Sequence, residues 1–398
     1  MALPGSTLAG KRKLLFLSTA AGSGQDARHG GGEHFASEFI QAISLKGWKV
    51  SLVCPTRSSL RRDGPLVGSL ESELTLDLSL KVDRPGQFIW TMAKWLWEAR
   101  LFKGAILYAN GYEAMKWAVP AGKLWGIPVV CHLHESTYGP YRSRRARMLA
   151  PFVDRFFAIS NEVRRQFMEG TGIDQDKVSI VYNGVLVANQ VAKSVDERQS
   201  VRKEFGFSED ANLIVMAART DVHKGHEIFV NAASDLHRSH PQAAFLMVGL
   251  QRNTSEESAL FDRVTDNIQK NSMDGVVVHT GYRDDVRRLM RAADVVVVPS
   301  TSEGFGRTAI EAMAEKTAVV ASKVGGLAEI ITDGEDGIHF PPGDSKALAK
   351  ALATLIENNV LRTRIADAGY RSAQDRFSLD SMRNLIETHL LAVLGHRA

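Results

Sequence analysis

The sequence predicts an α/β protein with two Rossmann-like domains, each a parallel β-sheet covered by helices on both faces. The chain has 398 residues, a length typical of two domains. Apolar runs alternate with helical periodicity through the first half, and after a polar stretch at 187–200 a second alternating series begins at Leu213. We therefore expect domains at residues 1–190 and 191–380, and a last helix at 381–398 that packs back on the first domain. Two such domains are expected to face each other across a deep cleft, where ligands bind beyond the carboxyl ends of the strands.

Each series begins with a strand and then alternates with helices. In the first series, strands are predicted at Leu14–Leu17, Lys49–Cys54, Ala105–Ala109, Val129–Leu133, Phe156–Ile159 and Val178–Val181, with helices at Glu33–Leu45, at Glu113–Leu124 and from Asn161. In the second, strands are predicted at Leu213–Ala217, Ala244–Val248, Val276–Thr280, Val295–Val298, Ala318–Ala321 and Ile338–Phe340, with closing helices from Lys346, Leu361 and Ser381. This alternation is typical of parallel sheets, because parallel neighbours need a crossover connection.

The composition argues against several classes of protein. Only two cysteines occur, Cys54 and Cys131, and each ends an apolar run, so we expect buried thiols, a cytoplasmic location and no disulfide framework. The apolar run after Lys13 is too short for a signal peptide, and no segment is long enough to cross a membrane. The net charge of +4 is modest and no nucleic-acid-binding module is recognisable, so nucleic acid is not an expected partner.

Basic residues and tryptophans are concentrated in the first half. Residues 1–190 contain 24 Lys and Arg against 16 Asp and Glu, whereas the remainder contains 25 against 29, and all six tryptophans precede residue 190. The segment 87–103 resembles an interfacial amphipathic stretch, and residues 142–147 form a second cationic cluster. Two interpretations are open. Either this half contacts an anionic membrane peripherally, at the inner face of the cell membrane, or the tryptophans are core residues and the bases are solvated.

The most informative segment follows the Val-rich strand and opens a helix. Glu303 is predicted at the loop tip, and Gly304 and Gly306, on either side of Phe305, allow a ligand to approach the backbone. The new helix presents free amides with a partial positive charge, and Glu311 lies about a turn and a half into it, within reach of a bound ribose. These groups suit a polyhydroxylated, anionic ligand. The alternative is a pair of solvent-exposed acids.

A basic loop follows the strand that opens the second domain. It contains Arg219 and Lys224. Both side chains stay charged at neutral pH, so together they form a good cradle for a diphosphate. A solvated basic loop is the alternative interpretation.

A third candidate is Gly30-Gly31-Gly32-Glu33, predicted as a loop directly before the first helix. Glycines there allow the backbone to approach a phosphate, although a flexible linker is equally compatible with them. No G-x-G-x-x-G with a downstream acid is present, which argues against a nicotinamide cofactor. No cofactor is expected.

The strand at Val129–Leu133 carries the last candidate. His132 and His134 alternate onto one face, where a strand histidine is usually a core residue. A zinc site made of His132, His134 and Glu135 lacks any further ligand cluster to support it. We predict no metal site.

With these motifs the sequence resembles glycosyltransferase family 4, retaining enzymes with the GT-B fold. The element E-G-F-G-x-x-x-x-E-A-M-A matches almost completely over Glu303–Ala314. The family's G-R-x-x-x-x-K-G element also matches, except that Ala218 replaces the usual glycine before Arg219, and a Gly-Gly-x-Glu element occurs before the first helix. The resemblance is strong over about 178–343 and diffuse before that.

The resemblance implies a role for each residue of the donor loop. Glu303 holds hydroxyls of the donor sugar, while backbone amides of Gly304, Phe305 and Gly306 touch the sugar and phosphate. Glu311 holds the ribose hydroxyls. The resemblance also implies that Arg219 and Lys224 form a basic pair and belong to the catalytic residues.

Three other segments receive roles from the same resemblance. Gly31, with Gly32 beside it, packs near the distal phosphate and sugar. His134 contacts the donor sugar near the reacting carbon. The backbone of the loop that contains Tyr282 and Arg283 meets the nucleobase.

The implied reaction moves a sugar from a nucleoside-diphosphate sugar, with UDP or GDP, to a hydroxyl of a carbohydrate or lipid-linked acceptor. Such transfer serves cell-surface polysaccharide, lipopolysaccharide or glycolipid assembly. Charge on the leaving diphosphate is expected to be stabilised by basic side chains and helix amides rather than by a metal. No carboxylate pair suited to double displacement is recognisable, so the resemblance favours a same-face substitution with retention. A nucleotide-sugar epimerase, a phosphorylase of the same fold and a non-catalytic nucleotide-sugar binding protein are the alternatives.

Overall fold

The computed structural model describes residues 12–19, 31–55, 69–76, 85–134, 140–189, 191 and 193–395. The chain divides into two compact units, Met1–Gly184 with Leu379–Ala398, and Val185–Ser378. Each unit contains one parallel sheet, so the predicted α/β class with two parallel-sheet domains is confirmed. The chain enters the second unit after Gly184 and leaves it after Ser378, whereas the sequence placed these boundaries at 190 and 380.

In the first unit a seven-stranded sheet is flanked by helices. Its strands are β1 Lys13–Ser18, β2 Lys49–Cys54, β3 Leu70–Thr75, β4 Ile106–Asn110, β5 Val129–Leu133, β6 Arg155–Ala158 and β7 Val178–Ile180. Its helices are α1 Gly31–Ser44, α2 Pro85–Ala99, α3 Met115–Trp125, α4 Pro140–Leu149 and α5 Asn161–Thr171. The spatial order is β3-β2-β1-β4-β5-β6-β7, so the chain reverses its direction of winding between β1 and β4. That is the switch point at which ligands bind in open α/β sheets.

The second unit repeats this design with a six-stranded sheet. Its strands are β8 Asn212–Ala217, β9 Ala243–Val248, β10 Val277–Thr280, β11 Val295–Val298, β12 Ala318–Ser322 and β13 Ile338–Phe340. Its helices are α6 Val195–Glu204, α7 His226–Ser239, α8 Ser255–Lys270, α9 Val286–Ala292, α10 Arg307–Ala314, α11 Leu327–Ile330, α12 Ser345–Glu357 and α13 Asn359–Arg376. The order is β10-β9-β8-β11-β12-β13, with the switch point between β8 and β11.

The final helix, α14 Leu379–Gly395, belongs to the first unit although it lies at the far end of the chain. Met382, Ile386, Leu390 and Val393 are buried in the same core as residues of α1 and of the seven-stranded sheet. Their spacing of three to four residues places them on one face of the helix.

All twelve predicted strands form within a residue or two of their expected bounds. The sequence missed the edge strand β3, because only one neighbour covers it and its exposed glutamates mask the apolar pattern. The prediction that Gly31 and Gly32 lie in a loop was wrong, since they begin α1. First-turn amides of a helix have no intrahelical acceptor, so the amides of these glycines are not used by the hydrogen bonds of α1 itself.

The two cysteines are buried thiols that form no disulfide, as expected from their apolar surroundings. The tryptophans have different environments: Trp48, Trp95 and Trp117 are buried and Trp125 is half-buried, whereas Trp90 and Trp97 are exposed. Within the described part of the chain, no helix has both the length and the apolar character needed to cross a bilayer.

Candidate active site

Loops that follow three neighbouring strands meet at one edge of the second sheet. Strands β8, β11 and β12 are adjacent and parallel, so their carboxyl ends lie side by side. The loop after β8 carries Arg219 and Lys224, the loop after β11 carries Glu303, and the loop after β12 carries Gly325 and Gly326. The sheet topology therefore brings together two motifs that are about 80 residues apart in sequence.

An ion pair joins the loop after β8, the basic loop with Arg219 and Lys224, to the loop after β11, the acidic loop with Glu303. Lys224 Nζ lies 2.7 Å from Glu303 Oε2, and both side chains are largely shielded, with exposed fractions of 23% and 15%. Ser300 Oγ donates to the same carboxylate oxygen at 3.1 Å. A charge-assisted hydrogen bond of this length fixes the orientation of both side chains.

Backbone contacts hold the two loops in register. The Thr301 amide donates to the His223 carbonyl oxygen at 2.8 Å. Asp221 caps the short 3₁₀ turn at residues 222–224 by accepting from the His223 amide at 2.8 Å. The Gly326 amide donates to the Glu303 carbonyl oxygen at 3.1 Å, which ties the loop after β12 to the acidic loop.

Several glycines are required by these close approaches. A Cβ on Gly225 would lie 2.0 Å from the Pro299 carbonyl oxygen, and one on Gly325 would lie 1.9 Å from the Glu303 carbonyl oxygen. Both residues also have positive φ, 77° and 49°. Glycine alone combines that backbone conformation with the missing side chain. Gly325 was not predicted from the sequence, although it belongs to a Gly-Gly pair that begins three residues after the end of a buried strand.

The helix α10 begins at the end of the acidic loop. Gly306 precedes it with φ of 109°, which turns the chain into the helix. The ring of Phe305 is buried and lies edge-on to Phe377, with 6.1 Å between the ring centroids. Because the ring points into the core, backbone groups of residues 304–306 are the parts of this segment that can face a ligand.

Glu311 occupies the predicted position in α10 and is partly exposed. Its Oε1 lies 3.1 Å from Arg307 Nη2, one turn earlier. The structure therefore places a second carboxylate on the helix that begins at the acidic loop. It also places a cation beside that carboxylate, which the sequence analysis did not anticipate.

The remaining predicted residues of this unit have different environments. Arg219 is exposed and makes no hydrogen bond or ion pair with any residue that the structure describes. Tyr282 is 47% exposed in the loop after β10. Arg283 Nη2 is 2.8 Å from both Asp285 and Glu204, and hydrogen bonds from Arg283 lower the pKa of Asp285 to about 2. The Arg283 side chain is thus already engaged in ion pairs.

In the first unit, His134 lies at the carboxyl edge of the sheet, directly after β5. Its Nε2 lies 2.8 Å from Oδ1 of Asn110, the last residue of the neighbouring strand β4. Its ring centroid is 4.6 Å from that of Phe35, which belongs to α1. The helix that begins with Gly31 and Gly32 therefore packs against this histidine. Asn110 was missed, although a polar residue ending an apolar strand was a usable signal.

His132 is a core residue. It is completely buried, its Nδ1 lies 2.7 Å from the Tyr108 hydroxyl, and its ring stacks on His134 at 4.4 Å. Burial lowers the pKa of His132 well below its usual value, and the neighbouring His134 lowers it further. Glu135, the third member of the zinc hypothesis, lies outside the described residues. No cluster of three metal-ligating side chains occurs in the described ranges.

Two family models match the chain on either side of the boundary between the units. The model described as Glycosyltransferase Family 4 matches residues 29–188, and the model described as Glycosyl transferases group 1 matches residues 197–372. The chain belongs to the family 4 type of glycosyltransferase. The second match contains the acidic loop, the basic loop and α10, so the predicted family is confirmed.

Curated relatives of this family member match over part of their length. The D-inositol 3-phosphate glycosyltransferase of Xylanimonas cellulosilytica is 33% identical over 57% of this chain and 54% of its own. The lipopolysaccharide core biosynthesis mannosyltransferase LpcC of Rhizobium leguminosarum bv. viciae is 30% identical over 46% of this chain and 52% of its own. The chain thus spans about half the length of these curated relatives.

Solved structures share the fold of this chain over nearly its whole length. The crystal structure of HepE from Anabaena in complex with UDP and glucose has a TM-score of 0.82 and 24% identity, and covers 96% of this chain and 100% of HepE. Sucrose-phosphate synthase from Thermosynechococcus elongatus has a TM-score of 0.77 and 19% identity, and covers 97% of this chain and 100% of its own. The fold is GT-B, as the sequence predicted.

Proposed function

We propose that this protein is a retaining glycosyltransferase that moves a sugar from a nucleoside-diphosphate sugar to an acceptor hydroxyl. The observation that carries the proposal is the Lys224–Glu303 pair, which sets a cation and a carboxylate side by side at the carboxyl edge of a parallel sheet. A diphosphate needs the cation and sugar hydroxyls need the carboxylate. UDP is the favoured nucleotide, because HepE is described in complex with UDP and with UDP-glucose; GDP is the alternative.

Within the second unit we assign complementary roles around the donor. Glu303 accepts hydrogen bonds from donor-sugar hydroxyls, and the amides of Gly304, Phe305 and Gly306 donate to sugar and phosphate oxygens. Glu311 accepts from the ribose hydroxyls. Its partly exposed side chain and its position in α10 support this assignment.

The other proposed contacts follow the same chemistry. Arg219 and Lys224 bind the diphosphate, and the backbone at Tyr282 and Arg283 meets the nucleobase, since the Arg283 side chain is occupied by Asp285 and Glu204. His134 contacts the sugar near its reacting carbon. The amides of the first turn of α1, at Gly31 and Gly32, bind the distal phosphate and sugar.

The proposed reaction is a same-face substitution. The bond between the anomeric carbon and the diphosphate oxygen breaks, and the bond to the acceptor oxygen forms on the same face. A phosphate oxygen of the leaving group takes the acceptor proton, so the products are the glycoside and the nucleoside diphosphate. Lys224, Arg219 and helix amides stabilise the charge that develops on the diphosphate, and the reaction is proposed to need no metal.

The acceptor is proposed to be a carbohydrate or a lipid-linked glycan in polysaccharide, lipopolysaccharide or glycolipid assembly. The naming of one relative for lipopolysaccharide core biosynthesis supports this class. We place the reaction in the cytoplasm, with peripheral contact to the anionic inner face of the cell membrane. Two buried cysteines that form no disulfide are compatible with a reducing compartment.

Donor binding is the first test. The melting temperature is measured with UDP, GDP and ADP, and then with the corresponding nucleotide-sugars, because a ligand that binds only the folded state raises it. We expect one nucleotide and one of its sugars to stabilise the protein selectively. Stabilisation by none of the nucleotides would contradict the proposed donor class.

Catalysis is tested by Lys224→Ala. Loss of the cation should cost roughly 2 to 4 kcal/mol of transition-state stabilisation, seen as a lower kcat/KM for transfer from the selected donor. Lys270→Ala, at an exposed lysine on α8, is the matched control and should keep full activity. Near-normal transfer by the Lys224 variant would remove Lys224 from the mechanism.

Product analysis with the donor alone, and then with phosphate, separates transfer from epimerisation and phosphorolysis.

A further inference from the structure

Helix α2 of the first unit has an exposed apolar face whose residues have no role in the proposed binding of the donor by the second unit. Trp90 is 67% exposed and Trp97 is 63% exposed, and Leu101, just past the end of the helix, is 67% exposed. Trp90 and Trp97 are seven residues apart, about two turns, so both rings lie on the same side. Exposed aromatic groups of this size are uncommon on a solvated surface and mark sites of interaction.

The opposite side of α2 is fixed in the core. Trp95 is completely buried, and its Nε1 donates to the Trp117 carbonyl oxygen at 2.8 Å. The Trp125 Nε1 donates to the Leu96 carbonyl oxygen at 2.7 Å, which joins α2 to the end of α3. The outer face is therefore presented by a helix with a firm attachment to its own unit.

Cations accompany the aromatic rings along this surface. The Arg100 guanidinium carbon lies 3.4 Å from the Trp97 ring centroid, and Lys94 Nζ lies 5.8 Å from that of Trp90. Residues 85–104 contain three basic side chains and one acidic side chain, Glu98. Tryptophan beside lysine or arginine is typical of protein segments at the boundary between lipid headgroups and acyl chains.

The pattern continues onto the neighbouring helix. Lys103 Nζ lies 5.1 Å from the Trp125 ring centroid, and Lys123 Nζ lies 3.9 Å from that of Phe152, a ring that is 47% exposed. Leu124 is also exposed. Apolar and cationic groups thus extend from α2 to the end of α3.

A second copy of the chain fits this surface poorly. A two-fold symmetric contact would place the same patch of each copy against the other, which opposes like charges of Lys94, Arg100 and Lys103. An anionic bilayer instead accepts the rings in its interface and the cations among its phosphates.

We propose that the outer face of α2, with Trp90, Lys94, Trp97, Arg100 and Leu101, docks on an anionic bilayer. This inference rests on the proposed function and deepens it, since it names the part of the chain that meets the membrane where a lipid-linked acceptor is presented. The docked rings enter the interface while Trp95 stays in the core. No covalent step is involved.

Sedimentation with lipid vesicles tests the proposal. The full chain is mixed with vesicles of phosphatidylcholine and with vesicles of equal parts phosphatidylcholine and phosphatidylglycerol, without donor or acceptor. We expect binding to the anionic vesicles that salt weakens, and little binding to the neutral ones. Trp90→Ser with Trp97→Ser should lower the partition coefficient on the order of tenfold or more.

The contributions of charged side chains and of apolar side chains are tested separately with matched variants. Lys94→Glu with Lys103→Glu should lower partitioning by at least about 25-fold, since each cation near an anionic surface contributes about fivefold. Lys270→Glu with Lys350→Glu changes the net charge equally at two exposed lysines of the second unit and should bind nearly as well as the unaltered chain. Leu45→Ser is the control for Leu101→Ser, because Leu45 is 80% exposed in the same unit.

Three outcomes would overturn the proposal. In the first, the face variants and their controls lose vesicle binding equally. In the second, the unaltered chain binds neutral and anionic vesicles equally. In the third, the unaltered chain binds no vesicles and the face variants instead lose self-association. Nucleotide binding in buffer is measured on the same samples. Because that measurement needs no membrane, failure of docking and failure of the proposed donor chemistry give different results.

Discussion

At the scale of single residues, Lys224 and Glu303 neutralise each other in a site that is largely shielded from water. A pair of this kind holds both side chains in a fixed orientation before any ligand arrives, which reduces reorganisation when charge develops. A bound donor must share the two groups, taking the ammonium for its diphosphate and the carboxylate for its sugar. The carboxylate therefore weakens the attraction of Lys224 for a free diphosphate.

Replacing Glu303 by Gln should separate the two proposed roles. Without the negative charge, Lys224 attracts a diphosphate more strongly, so we expect UDP to bind about as tightly or up to about fivefold tighter. Transfer should be abolished, and the nucleotide-sugar should lose the affinity that it has beyond that of UDP. Titration calorimetry with UDP and UDP-glucose measures both effects, with Glu335→Gln, at an exposed acid, as the control. Weaker UDP binding in Glu303→Gln would show that the carboxylate does not oppose the diphosphate.

His226, directly after the basic loop, makes stability depend on pH. Burial lowers its pKa from 6.5 to about 4. Below pH 6.5 the unfolded chain takes up a proton that the folded chain does not, so the free energy of unfolding should fall as the pH drops toward 4. The contribution is at most about 3 kcal/mol.

Urea unfolding at pH 7 and at pH 4.5 measures this effect in the unaltered chain, His226→Leu and His223→Leu. The loss of stability at the lower pH should be smaller in the His226 variant. His223 is the matched neighbour because it is exposed, so its variant should keep the full pH dependence. Equal pH dependence in all three proteins would exclude His226 as the source.

At the scale of elements, the site depends on loops that approach one another more closely than side chains allow. Gly225 lies against Pro299 of the acidic loop, and Gly325 lies against Glu303. Three consecutive strand ends of one sheet supply these loops. The position of the carboxylate is thus set by backbone packing between loops as well as by its own ion pair.

Gly225→Ala should displace the acidic loop, because the added Cβ would lie 2.0 Å from a backbone oxygen. We expect a loss of about 2 to 4 kcal/mol in folding free energy and weaker donor binding, measured by urea unfolding and calorimetry. Gly334→Ala is the control, since its φ of 75° is close to the 77° of Gly225 but its Cβ would meet open space. Equal destabilisation in the two variants would attribute the whole effect to backbone conformation.

At the scale of the whole molecule, the first unit is assembled from both ends of the chain. The last helix, α14, contributes Met382, Ile386 and Leu390 to the core that contains α1. The first and last residues of the second unit lie close together, since the Val185 amide donates to the Phe377 carbonyl oxygen at 2.8 Å. Stability of the first unit therefore depends on residues that follow the second unit in the sequence.

Ile386→Ala should destabilise the first unit by about 2 to 5 kcal/mol, because it removes a completely buried side chain from that core. Leu385→Ala, at the adjacent residue that is 40% exposed, should cost much less. Hydrogen exchange resolves the effect by unit, with faster exchange expected in β1 and α1. Unchanged exchange there would mean that α14 does not stabilise the first unit.

The sequence by itself determined twelve of the thirteen strands that the structure describes, most helices, the family and the residues of the acidic and basic loops. Buried parallel strands are short apolar runs, and the donor motif is contiguous, so both are visible in local sequence. It also placed Glu311 correctly in its helix, since helical position follows from counting residues after the loop.

Only the tertiary structure decided which distant groups meet. It joined Lys224 to Glu303 and Asn110 to His134, and it gave Gly325 its role. It also separated the tryptophans, burying Trp95 while exposing Trp90 and Trp97, although all three lie in one short apolar segment. The physical reason is that burial and close approach depend on which strand ends and helix faces become neighbours, and strand order in a parallel sheet is set by contacts far apart in the chain.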